Sequence, residues 1–457
     1  MINLIDKIVH KKRDGRRQVC VVTFARSWNA LAATRCLGKN GVEVITGDDS
    51  LICSSNFSVY SKKFFTYPNP DKDPNGYIDK LVEVCKKHSG ENVDLALLPL
   101  LTDAFIVAKH ADRFEGIAKL ALPTRGQIDL IGNKASLAEF CVEHGIRTPK
   151  TILIKSAEHL EEVCKDFPFP AFIKIPESCS AIGLKKVKNA SEAIDFYTSI
   201  TRKYPMKDGE YPIIQQSVKG DDFCCTFLFD HGERKASMTY HNLLDYPRKS
   251  GMGALRETVD ASDMEGAGAK LLELAKWHGV AEIDFRWDGK NEPYLIEVNP
   301  RFWGGLAQSV ESGWDYPYWV YRLAIDGTIP EMTPKTHEIK TFNPCLLTLI
   351  MLEEFIHARK HPIRDIAMAF QIFGRDVQTD VLKATGKLVK HVSDVPASRI
   401  RAVEKVLQEN RGAVGEIFKF TDPLPILGLL YPLVVFMKNG KVSPELLVAK
   451  PGNEQED

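Results

Sequence analysis

Two segments constrain this chain more than any other feature: AEIDFRW (281–287) and YLIEVNPRFWGG (294–305), separated by DGKNEP. The Asp-Gly start and closing proline of the connector mark a turn between two strands, so the pair reads as a β-hairpin. Side chains alternate along a strand, which puts Glu282 and Asp284 on one face and Ile283, Phe285 and Trp287 on the other. In the second strand Glu297 and Asn299 likewise oppose Ile296 and Val298. A hairpin symmetric about its turn, with Trp287 opposite Tyr294, sets Asp284 across from Glu297 and Glu282 across from Asn299. Facing carboxylates repel unless something neutralises them. A solvated acidic hairpin is the plain explanation. The sharper one is a divalent cation held by Asp284, Glu297 and Asn299, an all-oxygen set suited to Mg2+ (or Mn2+) sharing its shell with phosphate. Arg301, just beyond Asn299-Pro300, puts a guanidinium where such a phosphate would lie.

Other residues fit the same chemistry. In PAFIKIP, Lys174 lies in the middle of an apolar strand, where an ammonium is costly to bury without an anionic partner. The following ESCSAIGLKKV is a small-residue loop, either an exposed turn or a cover for phosphates through its backbone N–H groups. In IGNKASLAEFCVEHG, Asn133 is placed to cap a helix from Lys134 to about His144, ended by Gly145. Lys134 then opposes the helix dipole, poor for stability but suited to holding phosphate. YPIIQQSVKGDDF gives a strand and turn carrying Gln215, Gln216, Val218 and Asp222. Arg248, Lys249 and Arg256 flank the KSGMGALRE stretch and are candidates for a substrate carboxylate or simply surface charges.

With 457 residues, the chain has room for roughly two to four domains. Its 60 basic and 60 acidic side chains cancel, which argues against a nucleic-acid partner. The ten cysteines show no CxxC spacing and read as reduced, packed thiols. The first ten residues carry Asp6 and Lys7, unlike a signal peptide, and no apolar run reaches membrane-spanning length, so a cytoplasmic location is expected. After a basic leader (1–17), alternating strand and helix patterns over 18–122 predict a Rossmann-like parallel α/β domain. That domain lacks GxGxxG after its first strand, which argues against dinucleotide binding. Its strand ends at Ser27, Asn29, Thr102 and Asp103 still mark where open α/β sheets take ligands. Residues 331–457 read as a mostly helical extension with no legible active site.

In order along the chain, these elements resemble the ATP-grasp superfamily over roughly residues 18–330. They are the α/β pre-domain, NKASL, FIKIP, the small-residue loop, IIQQSVKGDD, and EIDF…LIEVNPR. The resemblance implies an ATP-grasp fold of two subdomains around ATP over 123–330, and is nearest to carbamoyl-phosphate-synthase-like and D-amino-acid-ligase-like carboxylate–amine ligases. It implies that Lys134 and Lys174 contact ATP phosphates, that Ser178, Ser180 and Gly183 belong to the covering loop, and that Gln215, Gln216 and Val218 receive adenine. Asp222 would hold the ribose, Asp284, Glu297 and Asn299 would ligate magnesium, and Arg301 would stabilise the transferred phosphoryl group. The covering loop has one glycine where the family usually has several, and Gln215 stands where an acidic residue is common. The expected activity joins a small carboxylate to an amine through an acyl phosphate, with ADP and phosphate released and a homodimer as one admissible assembly. Thiol ligation, simple phosphoryl transfer and a non-catalytic ATP-binding protein are the alternatives.

Overall fold

The computed structural model describes residues 15–174, 184–203, 211–246, 251–334, 337–357, 408 and 411–429, with side chains of 351–357 left aside. Ser178, Ser180, Gly183, Arg248 and Lys249 lie outside the described residues.

Four short strands form the first sheet: β1 (Arg17–Val22), β2 (Glu43–Asp48), β3 (Ser61–Thr66) and β4 (Val93–Leu98), parallel in the order β3-β2-β1-β4. Val19 to Val22 are fully buried because helices cover both sheet faces, which is why QVCVV reads as a continuous apolar run. β3, with exposed Lys62 and Lys63, is a polar edge that carries little apolar signal. The order reverses beside β1, and Ser27 in the turn after it caps the helix Trp28–Lys39 by accepting from Ala30 N. Asp103, expected at a ligand-facing loop, is instead buried: it accepts from Thr23 Oγ1 at 2.6 Å, Tyr77 Oη at 2.7 Å and Leu101 N at 2.9 Å. Those bonds tie the ends of β1 and β4 together.

A second, antiparallel sheet contains β5 (Thr151–Leu153), β6 (Ala171–Lys174), β7 (Leu184–Val187) and β8 (Ile213–Gln216), in the order β5-β8-β6-β7. The third sheet is the scaffold of the molecule. It comprises β9 (Asp221–Asp230), β10 (Glu233–Tyr246), β11 (Met252–Val259), β12 (Gly279–Trp287), β13 (Tyr294–Asn299), β14 (Lys340–Phe342) and β15 (Val414–Gly415), ordered β13-β12-β9-β10-β11-β14-β15. The apolar face of β9 and β12 buries Phe227, Phe229, Ile283 and Phe285 against the helix Ser262–Leu274. Each such side chain contributes about 1.5–3 kcal/mol. Gly268 allows the close approach, since a Cβ there would come within 2.6 Å of the Phe227 ring.

The described part of the extension is not helix alone. It supplies the helix Pro344–His357, β14, β15 and a final 3-10 turn, Leu424–Leu429. Its last stretch is fastened to the first domain through Arg35, whose guanidinium donates to Asp422 Oδ2 (2.8 Å) and to the carbonyls of Glu416, Ile417 and Asp422. Asp422 also accepts from Ser58 Oγ and Val59 N. Arg35 and Asp422 are both buried, so losing one partner strands the other's charge. Asp422→Asn is therefore expected to cost roughly 3 kcal/mol, read as a fall in thermal unfolding temperature. A change within error would show that the pair is dispensable.

Candidate active site

The acidic hairpin forms with Asp284 paired to Glu297 and Glu282 to Asn299. Nearer the turn the register differs from a symmetric hairpin: Arg286, not Trp287, faces Tyr294, and a bulge follows Asp284. The extra residue rotates Ile296 out of the apolar face, and Leu295 joins Val298 in the core instead. The acidic face survives because the irregularity falls on the turn side of Glu297.

Two lysines from separate elements reach this face. Asn133 caps the helix Lys134–Glu143, its side chain accepting from Ala135 N and Ser136 N. Leu137 and Cys141 pack that helix into the core beneath β12 and β13. Lys134 Nζ consequently sits 3.0 Å from Glu297 Oε2. Lys174, buried at the end of β6, donates to Gln215 Oε1 at 2.8 Å, while Gln215 Nε2 donates to Thr151 Oγ1 at 3.0 Å. Burial pulls the Lys174 ammonium below its ordinary pKa, as does Lys134, whereas Glu297 and Asp284 counter that pull. Burial raises Glu297 too, but Lys134 and Lys174 outweigh it and hold that carboxyl at about 2. Asp284 is pushed well up by burial and by the charges of Glu282 and Glu297.

Asn299 links the hairpin to Arg301. Its Nδ2 donates to Glu282 Oε2 (3.3 Å) and Asp284 Oδ2 (3.2 Å), while its Oδ1 accepts from Arg301 Nη2 at 3.1 Å. Arg301 Nη1 is held by the Phe302 carbonyl at 2.8 Å. Asp222 pairs across strands with Arg286, whose Nε lies 2.7 Å away and whose Nη1 bonds the Gly220 carbonyl. Gln216 ends β8, its N–H bonded to the Lys150 carbonyl, and Val218 follows in the half-buried connection to β9.

Three further groups join those assigned roles from the sequence: Glu282, already placed on the acidic face, and Cys224 and Glu416, which were not foreseen. Glu282 is buried and accepts from Tyr240 Oη at 2.5 Å; its place on the Asp284 face was readable from strand alternation, but Tyr240 carried no local signal. Cys224 Sγ lies 3.3 Å from Asp284 Oδ1, and burial keeps its thiol well above the usual range, so it is a neutral neighbour. Glu416 meets Arg256 Nη1 at 2.7 Å, so the cation proposed for a substrate carboxylate already has a buried partner. Arg256 also lines a small cleft with Ser27, Asn29, Met252 and Gly304, where the first domain meets the main sheet.

The donor set fits a hard cation. Glu282, Asp284 and Glu297 bring carboxylate oxygens to one face of the hairpin, with the Asn299 amide beside them presenting its Nδ2, and the one sulfur among them is held protonated. Mn2+ binding, followed by electron paramagnetic resonance, is expected to weaken at least about tenfold in Asp284→Asn and Glu297→Gln, a loss typical of disturbed metal sites. Unchanged binding in both variants would remove the site.

Comparison with known proteins bears on the fold. Residues 240–343 match the family described as ATP-grasp in the biosynthetic pathway with Ter operon. A D-alanine–D-alanine ligase of Hydrogenovibrio crunogenus is 27% identical over 167 residues, covering 34% of this chain and 50% of that protein. A D-aspartate ligase of Enterococcus faecium is 23% identical over 262 residues, covering 51% and 59% respectively. The chain thus spans a half to three-fifths of the length of these two relatives. Among solved structures, an L-amino acid ligase from Bacillus licheniformis superposes with a TM-score of 0.55 at 14% identity, covering 72% of this chain and 80% of that one. The biotin carboxylase domain of Hydrogenobacter thermophilus 2-oxoglutarate carboxylase, solved with MgADP, superposes with a TM-score of 0.56 at 15% identity, covering 71% and 72%. The fold and the order of its sheets are those of these solved structures, and the likeness in sequence over residues 240–343 is to an ATP-grasp family.

Proposed function

We propose that the protein is an ATP-dependent carboxylate–amine ligase that works through an acyl phosphate and releases ADP and phosphate. The observation that carries this reading is the meeting of opposite charges at the hairpin: Lys134 lies on Glu297, and Glu297 faces Asp284. Both signs are there in the arrangement a metal–triphosphate would exploit, with lysines for phosphate oxygens and carboxylates for the metal.

In the proposed reaction, ATP lies between the second and third sheets, with Lys134 and Lys174 on its phosphates and the connection at Gln215, Gln216 and Val218 beside adenine. Asp222 offers a carboxylate to the ribose. Asp284, Glu297 and, with its amide turned, Asn299 would hold magnesium, which would supply charge neutralisation to the phosphates. To present its oxygen to a cation, the Asn299 amide turns over, which releases Arg301 from Oδ1 and lets the guanidinium reach the transferred phosphoryl group. A substrate carboxylate oxygen attacks the γ-phosphorus, and ADP leaves with the electrons of the broken P–O bond. The amine then attacks the acyl carbon, phosphate leaves with the C–O electrons, and the amine loses a proton. These residues position charges rather than form covalent intermediates. The relatives named as D-alanine–D-alanine, D-aspartate and L-amino acid ligases support amino acids as the substrate class.

Lys174→Met is expected to leave the nucleotide-free protein as stable or more stable, since a buried charge is removed, and to erase most of the thermal shift given by Mg-ATP. An undiminished shift would make Lys174 structural. With amino acids supplied in pairs, oxygen-18 in the substrate carboxylate is expected in the released phosphate, with ADP as the nucleotide product. AMP and pyrophosphate, or unlabelled phosphate from an active pair, would overturn the acyl-phosphate route.

A further inference from the structure

A second group of donors lies at the other end of the third sheet. Asp230 closes β9, six positions beyond the Cys224 that pairs with Asp284, which is roughly 20 Å along a strand at ~3.3 Å per residue. His231 and Gly232 form the two-residue turn into β10, both with positive φ (49° and 91°), the backbone of a primed hairpin turn. His278 precedes β12 in a neighbouring loop, and Gly232 N bonds the Trp277 carbonyl at 2.7 Å, tying turn and loop together. The two imidazoles consequently face each other, ring centres 4.1 Å apart and planes 33° apart. Asp230 Oδ1 lies 2.7 Å from His231 Nδ1 and 3.4 Å from His278 Nδ1.

A hydrogen-bonded His–Asp pair explains His231 but not His278. The Nδ1 of His278 is closed off from solvent, and it faces the same Asp230 oxygen at 3.4 Å, an ion-pair distance too long and too poorly aligned for a good hydrogen bond. The 3.4 Å gap matches the separation of about 3.3 Å between two ligands of a tetrahedral ion at ~2.0–2.1 Å, whereas the 2.7 Å Asp230–His231 hydrogen bond would have to open by about 0.6 Å to admit the ion. Two imidazole nitrogens and one carboxylate oxygen are also the donors a borderline-soft transition metal selects over magnesium. The Thr328 hydroxyl bonds Asp230 and orients it, as outer partners of metal ligands do. His231 is exposed, leaving a fourth position open to water.

We propose that Asp230, His231 and His278 form a zinc-class metal site, separate from the acidic hairpin. The site gives the turn and the loop one shared ligand, fixing the end of the sheet that adjoins the first domain: Gly279 there packs against Ala121, where an added Cβ would lie 2.8 Å from the carbonyl oxygen.

The test is a titration of the full chain with Zn2+ and, separately, Co2+ under saturating Mg2+, read by calorimetry and by visible cobalt absorption. One equivalent with a low-symmetry cobalt spectrum is expected, weakened at least about tenfold in His278→Ala and Asp230→Asn. His231→Ala, on the exposed turn, tests the same ligand set without touching packed residues and is expected to weaken binding likewise. Equal affinity and stoichiometry in His231→Ala and His278→Ala would overturn the proposal. So would loss of zinc in Asp284→Asn with retention in His278→Ala, which would locate the metal at the hairpin.

Discussion

Two carboxylates on adjacent strands repel each other, and Asp284 opposite Glu297 makes that repulsion a fixed property of this fold. The cations that answer it come from two separate elements, the helix Lys134–Glu143, which also packs Leu137 and Cys141 beneath the hairpin, and strand β6. Lys134 begins a helix, where a positive charge costs about 0.3–1 kcal/mol against the dipole. The Glu297 carboxylate 3.0 Å away offsets that penalty, since a partly solvated ion pair is worth about 0.2–1 kcal/mol. Lys174 ends a strand of a different sheet and accepts burial there. Apolar packing seats the Lys134 helix beneath the hairpin, the Gln215 amide holds Lys174 within the second sheet, and the hairpin's carboxylates meet both positive charges there.

Strand β12 serves two purposes through its alternation. Its apolar side anchors the helix Ser262–Leu274, and its polar side carries Glu282 and Asp284. A strand packed firmly on one face holds its other face rigid, which is what a site built on positioning requires. The same economy operates at Arg256, where a segment distant in sequence supplies Glu416 beneath the small cleft and Thr341 donates to the same carboxylate oxygen at 2.9 Å.

Much of this was legible from residue order. Period-two alternation gave the hairpin and its acidic face, and Asn133 announced the helix at Lys134. The bulge at Ile296 was not legible, because a single extra residue leaves the pattern of apolar and polar letters unchanged while altering which of them face inward. Gln215 read as a hinge residue, and nothing local indicated that its amide would receive Lys174. Asp103 read as a loop acid at a strand end, but its partners Thr23 and Tyr77 are 80 and 26 residues away. Glu416 was invisible for the same reason, being 160 residues from Arg256. Spacing rules speak about neighbours on one element, and these partners are set by how elements close on one another.

The clasp of Arg35 by Asp422 has a consequence during synthesis. The two residues are 387 positions apart, so at a translation rate of ~5–20 residues per second Arg35 emerges from the ribosome on the order of 20–80 seconds before its partner exists. During that interval the first domain carries a guanidinium on a surface that will later be interior, with Ser58 and the Val59 amide equally unmet by Asp422. A nascent chain of this protein therefore displays an unfinished polar seam until residues 411–429 have been made and can close over it.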